Sequence, residues 1–211
     1  MITMDLKKYF DDFPFIAITR GLRTEEAISC GSVLRDAGFA IIENPLNSPD
    51  PFRCINILAE NFGDHLLVGA GTVLSVEQVA QVKDAGGQLI ISPNCDPAVI
   101  EAAKKSGMLS IPGVATPTEA LNAIKAGADA LKLFPAEILP PAALKALRAV
   151  LPPATLLIPV GSIDENNWQA YWKAGAAAFG LGSSLYKPGI SPATLKKRAE
   201  AFVESWRFRQ N

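Results

Sequence analysis

A single α/β domain wound as a (β/α)₈ or TIM barrel is the fold class this sequence predicts, and three observations predict it. Short apolar, β-branched runs alternate with amphipathic segments of helical period. Eight such runs recur about every 20 to 27 residues, roughly one strand plus one covering helix. Many helical segments close on Ala-Gly, as in Asp36-Ala37-Gly38, Asp84-Ala85-Gly86, Lys125-Ala126-Gly127 and Lys173-Ala174-Gly175. Glycine there supplies the left-handed cap that turns a helix back toward the next strand. At 211 residues the chain is compact for this fold, so connections are short and residues 1–211 read as one domain.

The strands expected in order are Phe15–Thr19, Ala40–Glu43, Leu66–Ala70, Gln88–Ser92, Leu109–Ile111, Ala130–Phe134, Thr155–Val160 and Ala178–Leu181. Helical period marks Thr24–Ala37, Val76–Ala85, Pro97–Ser106, Thr118–Ala126, Pro141–Val150 and Glu165–Ala174. Thr24, Asp96, Thr118 and Asp164 stand where N-caps are wanted. Asp5–Asp12 reads as a short helix closing the bottom of the barrel, and Leu195–Arg209 as the last helix outside the eighth strand.

Bulk properties exclude several classes of function. Hydrophobic residues make up 49% and charged residues 19%, and the net charge is −1 with no basic cluster. That speaks against nucleic acid or an anionic membrane surface as partner. Residues 1–13 carry mixed charge and no apolar run, so no signal peptide is expected, and no segment reaches membrane-spanning length. Three cysteines without CxxC spacing fit reduced thiols in a cytoplasmic protein. The one histidine, His65, leaves no material for histidine-based metal sites.

In this fold active sites lie where the strands end. Lys132 sits inside the apolar sixth strand, and burying an unpaired ammonium drives it to lose its proton. A neutral amine in a dry pocket can form a Schiff base with a carbonyl substrate; the alternative is a packed stem whose head reaches water. Glu43 closes the second strand, where burial would raise its pKa toward general acid–base work. Arg20 at the first strand end is a fork for carboxylate or phosphate, or an ion-pair partner for Glu43. Thr72, in Gly69-Ala70-Gly71-Thr72-Val73, offers a hydroxyl beside glycines that admit a ligand. Gly161-Ser162 and Gly182-Ser183 follow the seventh and eighth strands, where barrels build phosphate sites from backbone N–H groups; each is also an ordinary tight turn.

The chain resembles the 2-keto-3-deoxy-6-phosphogluconate and 2-keto-3-deoxy-6-phosphogalactonate aldolases from Pro14 to about Tyr186. The motifs carrying the likeness are Ala17-Ile18-Thr19-Arg20-Gly21, Glu43-Asn44-Pro45-Leu46-Asn47-Ser48-Pro49, Gly69-Ala70-Gly71-Thr72-Val73-Leu74, Ser92-Pro93-Asn94, Ile111-Pro112-Gly113, Leu131-Lys132-Leu133-Phe134-Pro135-Ala136 and Gly180-Leu181-Gly182-Ser183. The resemblance implies class I enzymes on trimeric barrels, with Lys132 forming the Schiff base and Glu43 moving protons. It implies no metal and no other cofactor.

Asn47 in place of the gluconate branch's arginine, and Val160 in place of its threonine, look like the galactonate branch. Carboxylate recognition then falls to Arg20 with Thr72. Pro93 and Phe134 would wall the pocket, and Gly161, Ser162, Gly182 and Ser183 would hold a distal phosphate. Ser162 departs from the family's double glycine and could crowd the phosphate or donate to it. The implied reaction is cleavage of 2-dehydro-3-deoxy-6-phospho-D-galactonate to pyruvate and D-glyceraldehyde 3-phosphate. Its alternatives are the C4-epimeric gluconate substrate and, from another class, a non-catalytic barrel that binds phosphorylated ligands. A metal-dependent phosphosugar epimerase would need histidines that this chain lacks.

Overall fold

The computed structural model describes residues 5–209. Parallel strands alternate with helices. They are β1 (Phe15–Ile18), β2 (Ile41–Pro45), β3 (Leu67–Gly71), β4 (Leu89–Ile91), β5 (Leu109–Ile111), β6 (Gly113–Val114), β7 (Leu131–Leu133), β8 (Leu157–Pro159) and β9 (Phe179–Leu181). The helices are α1 (Ala27–Asp36), α2 (Pro51–Phe62), α3 (Val76–Asp84), α4 (Pro97–Lys105), α5 (Pro117–Lys125), α6 (Pro141–Arg148), α7 (Trp168–Lys173) and α8 (Pro192–Arg207). One curled parallel sheet runs β5-β4-β3-β2-β1-β9, and a second runs β6-β7-β8.

The parallel α/β class is as expected, but the ladder is not one uninterrupted ring. Pro112 has no N–H to donate, and the chain changes partner there: β5 pairs with β4, and β6 pairs with β7. Across the other border a parallel bridge joins Val160 to Gly180.

Alternation along the strands sorts the core into two layers. Ile16, Ile18, Ile41, Leu67, Leu89, Ile91, Leu109, Ile111, Ile158 and Val160 meet inside the curl, with Leu6 and Phe10 joining them from below. The expected helix over Asp5–Asp12 is a 3-10 turn, Leu6–Tyr9, and it plugs that end. Residues of opposite parity, such as Phe15, Ala17, Ile42, Val68, Ile90 and Phe179, face the helices.

On α8 the buried positions Leu195, Ala199, Phe202 and Trp206 lie three or four residues apart and seat the helix against β1 and α1. Phe15 and Phe202 ring centroids are 5.5 Å apart, and Trp206 donates its indole N–H to the Asp12 carbonyl at 2.8 Å. Truncating Phe202 leaves a hole in this aromatic seam. Phe202→Ala is expected to cost about 3–5 kcal/mol, read as a lowered urea midpoint at unchanged slope.

Several local expectations are corrected. α2 is not among the helices marked in the sequence; Pro51 occupies its first helical position. Thr24 lies within a 3-10 turn whose N-cap is Arg23. Thr118 lies inside α5, which Thr116 caps in a reciprocal box with Glu119. Asp164 caps the turn before α7 by accepting from Asn166 and Asn167. Asp96 does cap α4. The Ala-Gly closures hold, with Gly38, Gly86, Gly127 and Gly175 all at positive φ.

Candidate active site

Period two along β7 decides where the lysine points. Leu131 and Leu133 join the outer layer and Ala130 the inner one, so Lys132 faces inward. It is 6% exposed, and its ammonium nitrogen stands 4.5 Å from the centroid of the Phe134 ring. No ion pair holds it among the described residues. Burial lowers its pKa below the ordinary lysine value; the Glu43 carboxylate opposes that shift and Arg20 adds to it.

Glu43 is the second half of the pair. The sequence places it at a strand end, but β2 runs on to Pro45, with Asn44 and Pro45 still paired to Ala70 and Gly71. The carboxylate is therefore carried inside the sheet, 2% exposed, and its Oε2 accepts no hydrogen bond. Burial pushes its pKa up to about 7, against the pull of Lys132 and Arg20. Gly71 makes room for it, since a Cβ there would collide with the carboxylate. Below the pair lies a void of about 10 Å³ lined by Ile16, Ile18, Ile91, Ile111 and Ile158, among others, with space for no more than about one water.

Above the pair opens a cavity of about 710 Å³. Its lining brings together Arg20, Glu43, Lys132, Phe134, Val160, Gly161, Ser162, Gly182 and Ser183 of the residues singled out from sequence. Thr72 and Pro93 are not on that lining. Thr72 reaches the site through Arg20, whose Nη2 lies 3.5 Å from its Oγ1, while Nη1 donates to Asn47 Oδ1. Held from both nitrogens, Arg20 makes no ion pair with Glu43. Thr72 adopts φ +57°, a costly conformation for a β-branched residue.

The loops after β8 and β9 form one concave wall. Gly161 and Ser162 both have positive φ, and Tyr186 N–H donates to Gly182 O at 2.9 Å, starting a helical turn. Among the described residues the N–H groups of Ser162, Gly182, Ser183 and Ser184 donate to no protein acceptor. Ser184 Oγ donates to Ile163 O at 2.8 Å and ties the two loops together. Ser162 Oγ donates to Glu137 Oε1 at 2.7 Å, so its hydroxyl hydrogen is turned away from the cradle. Such a cluster of free N–H groups is suited to receive an anion.

Glu137, Tyr186 and Lys187 also line the cavity, and the sequence reading passes them over. Glu137 lies in a 3-10 turn, Ala136–Ile138, and Tyr186 and Lys187 on a loop, and their meeting depends on long-range closure, so no period marks them. Among the described residues, no group of three or more histidine, cysteine or acidic side chains could hold a metal ion.

A buried, poorly solvated amine, a buried carboxylate of near-neutral pKa and an anion cradle share one cavity at the carboxyl ends of parallel strands. That arrangement defines an enzyme site suited to covalent carbonyl chemistry on an anionic substrate. Residues 7–198 match the family model for KDPG and KHG aldolase, and the chain belongs to that family.

It is 49% identical over 193 residues to the "Probable 2-dehydro-3-deoxy-6-phosphogalactonate aldolase" of Rhizobium meliloti (strain 1021), covering 92% of this chain and 91% of that one. It is 44% identical to the 2-dehydro-3-deoxy-6-phosphogalactonate aldolase of Escherichia coli (strain K12), covering 92% and 95%. A solved structure described as "Native KDPGal structure" superposes with a TM-score of 0.91 at 44% identity, over 92% of this chain and 95% of that one. The KDPG aldolase of Legionella pneumophila, 27% identical with a TM-score of 0.79 over 94% and 95%, is described with pyruvate captured as a covalent carbinolamine intermediate.

Proposed function

We propose that this chain is a class I aldolase that cleaves 2-dehydro-3-deoxy-6-phospho-D-galactonate to pyruvate and D-glyceraldehyde 3-phosphate. The observation that carries the reading is the convergence of Lys132 and Glu43, both buried, on one cavity. The 49% and 44% identical galactonate-type relatives supply the substrate.

Neutral Lys132 adds to the C2 ketone, and loss of water leaves an iminium ion. Glu43, directly or through a water, takes the C4 hydroxyl proton. The C3–C4 bond then breaks, its electrons flow to the iminium nitrogen, and the aldehyde departs. The remaining enamine is protonated at C3, and hydrolysis returns the lysine and releases pyruvate. Arg20, steadied by Thr72, holds the carboxylate end, which fixes C2 beside the amine. The N–H groups of Ser162, Gly182 and Ser183, with Gly161 giving them room, hold the phosphate, and its binding energy orients the reacting bond. Phe134 keeps the amine dry.

The sheets close into an eight-staved barrel in this reading, supported by the Val160–Gly180 bridge and the Lys132 N–H bond to Pro112 O at 2.9 Å. Among the described residues no helix is long and apolar enough to cross a membrane. A cytoplasmic homotrimer of single-domain chains completes the proposal on the family resemblance, and sedimentation measures the trimer.

Pyruvate with borohydride tests the core of it. Irreversible mass must appear at Lys132, and modification of Lys125 or Lys145 instead refutes the assignment. Val160, 8% exposed on the cavity wall, bears on the C4 epimer. Val160→Thr is expected to move preference toward the gluconate epimer by about 5-fold, since one added hydrogen bond is worth about 1 kcal/mol. Pyruvate release from both epimers, assayed side by side, measures it.

A further inference from the structure

Three carboxylates line the cavity, and two already have work: Glu43 lies beside the amine, and Asp164 accepts the N–H groups of Asn166 and Asn167. Glu137 has none in the steps above. It lies in the 3-10 turn Ala136–Ile138 that follows β7 and is held by Ser162 Oγ, which donates to its Oε1 at 2.7 Å. The carboxylate packs directly on Gly161, where any Cβ would strike it. Its Oε2 accepts no hydrogen bond among the described residues. A second anion beside an anion cradle opposes phosphate binding, so holding the phosphate does not explain a carboxylate there. An acceptor-only group placed against a polyol has another use.

Resting on the aldolase reading, we infer that Glu137 determines acceptor specificity, its Oε2 accepting a hydrogen bond from the substrate's C5 hydroxyl. A six-carbon chain anchored at C2 on Lys132 and by its C6 phosphate at Ser162 and Ser183 has to run past this wall. The carbon next to the phosphate-bearing one then lies beside Glu137. In the condensation direction this hydroxyl is the one on C2 of the incoming aldehyde.

The test is condensation of pyruvate with two aldehydes, glyceraldehyde 3-phosphate and 3-oxopropyl phosphate, which lacks only that hydroxyl. Glu137→Ala should lower kcat/KM for the hydroxylated aldehyde about 10-fold or more relative to the deoxy one. Glu137→Gln, whose amide oxygen still accepts, should restore part of the difference. Changes of equal factor on both aldehydes overturn the inference, because altered phosphate affinity or loop packing acts on both alike. Borohydride trapping of pyruvate at Lys132 runs beside it. Trapping that persists while the factors are equal sinks this inference alone; no trapping in the unmodified protein sinks the aldolase reading and this inference with it.

Discussion

Lys132→Met is expected to remove all measurable cleavage of the keto-deoxy phosphosugar acid, together with borohydride-dependent labelling by pyruvate. The substitution conserves volume in a dry, apolar setting, so the fold should survive it. The void beneath is sealed by isoleucines, and Phe134 packs a thioether as readily as an amine. A second effect separates this variant from simple damage. Lys132 is the largest influence holding the Glu43 pKa down against burial. Without it, Glu43 should titrate above its present value of about 7, followed by the carboxyl infrared band. Residual turnover with intact labelling would assign the imine to another lysine.

Glu43→Gln tests the other member and has two opposite consequences. Losing a positioned base should lower kcat by about 10²–10⁴. Stability should move the other way. The folded carboxyl titrates near 7, against 4.5 as its ordinary value. The stabilisation associated with the proton is therefore complete below about pH 4.5 and lost as pH rises through about 7, where the native protein must carry a buried charge. The neutral amide avoids that cost. Glu43→Gln should exceed the parent in stability by up to about 3 kcal/mol at pH 8 and by nothing at pH 4, measured by denaturant unfolding at both. An equal difference at both values would mean that Glu43 is not desolvated as described.

The parts most legible in the sequence were those set by short-range pattern. Alternation about Lys132 and the glycine closures of the helices each depend on a few adjacent residues, and both are found. Glu43 was placed correctly along the chain but taken as a strand-end residue. Its burial comes from the pairing of Pro45 with Gly71, a contact between distant segments. Asn47 holding Arg20 and Glu137 holding Ser162 also join loops from different strands, and no local period encodes such meetings. α2, not marked in the sequence, begins where Asp50 at φ +41° hands the chain to Pro51, a backbone entrance that no apolar period encodes.

The plug of isoleucine beneath the amine makes the site a cul-de-sac. Traffic can pass only at the top, past Arg20 on one side and Ser183 on the other. On the proposed reaction the departing aldehyde and the hydrolytic water share that one passage. Pyruvate stays bound to Lys132 until water reaches the imine, so in the proposed reaction the aldehyde leaves first and the closed floor gives that water no second way in.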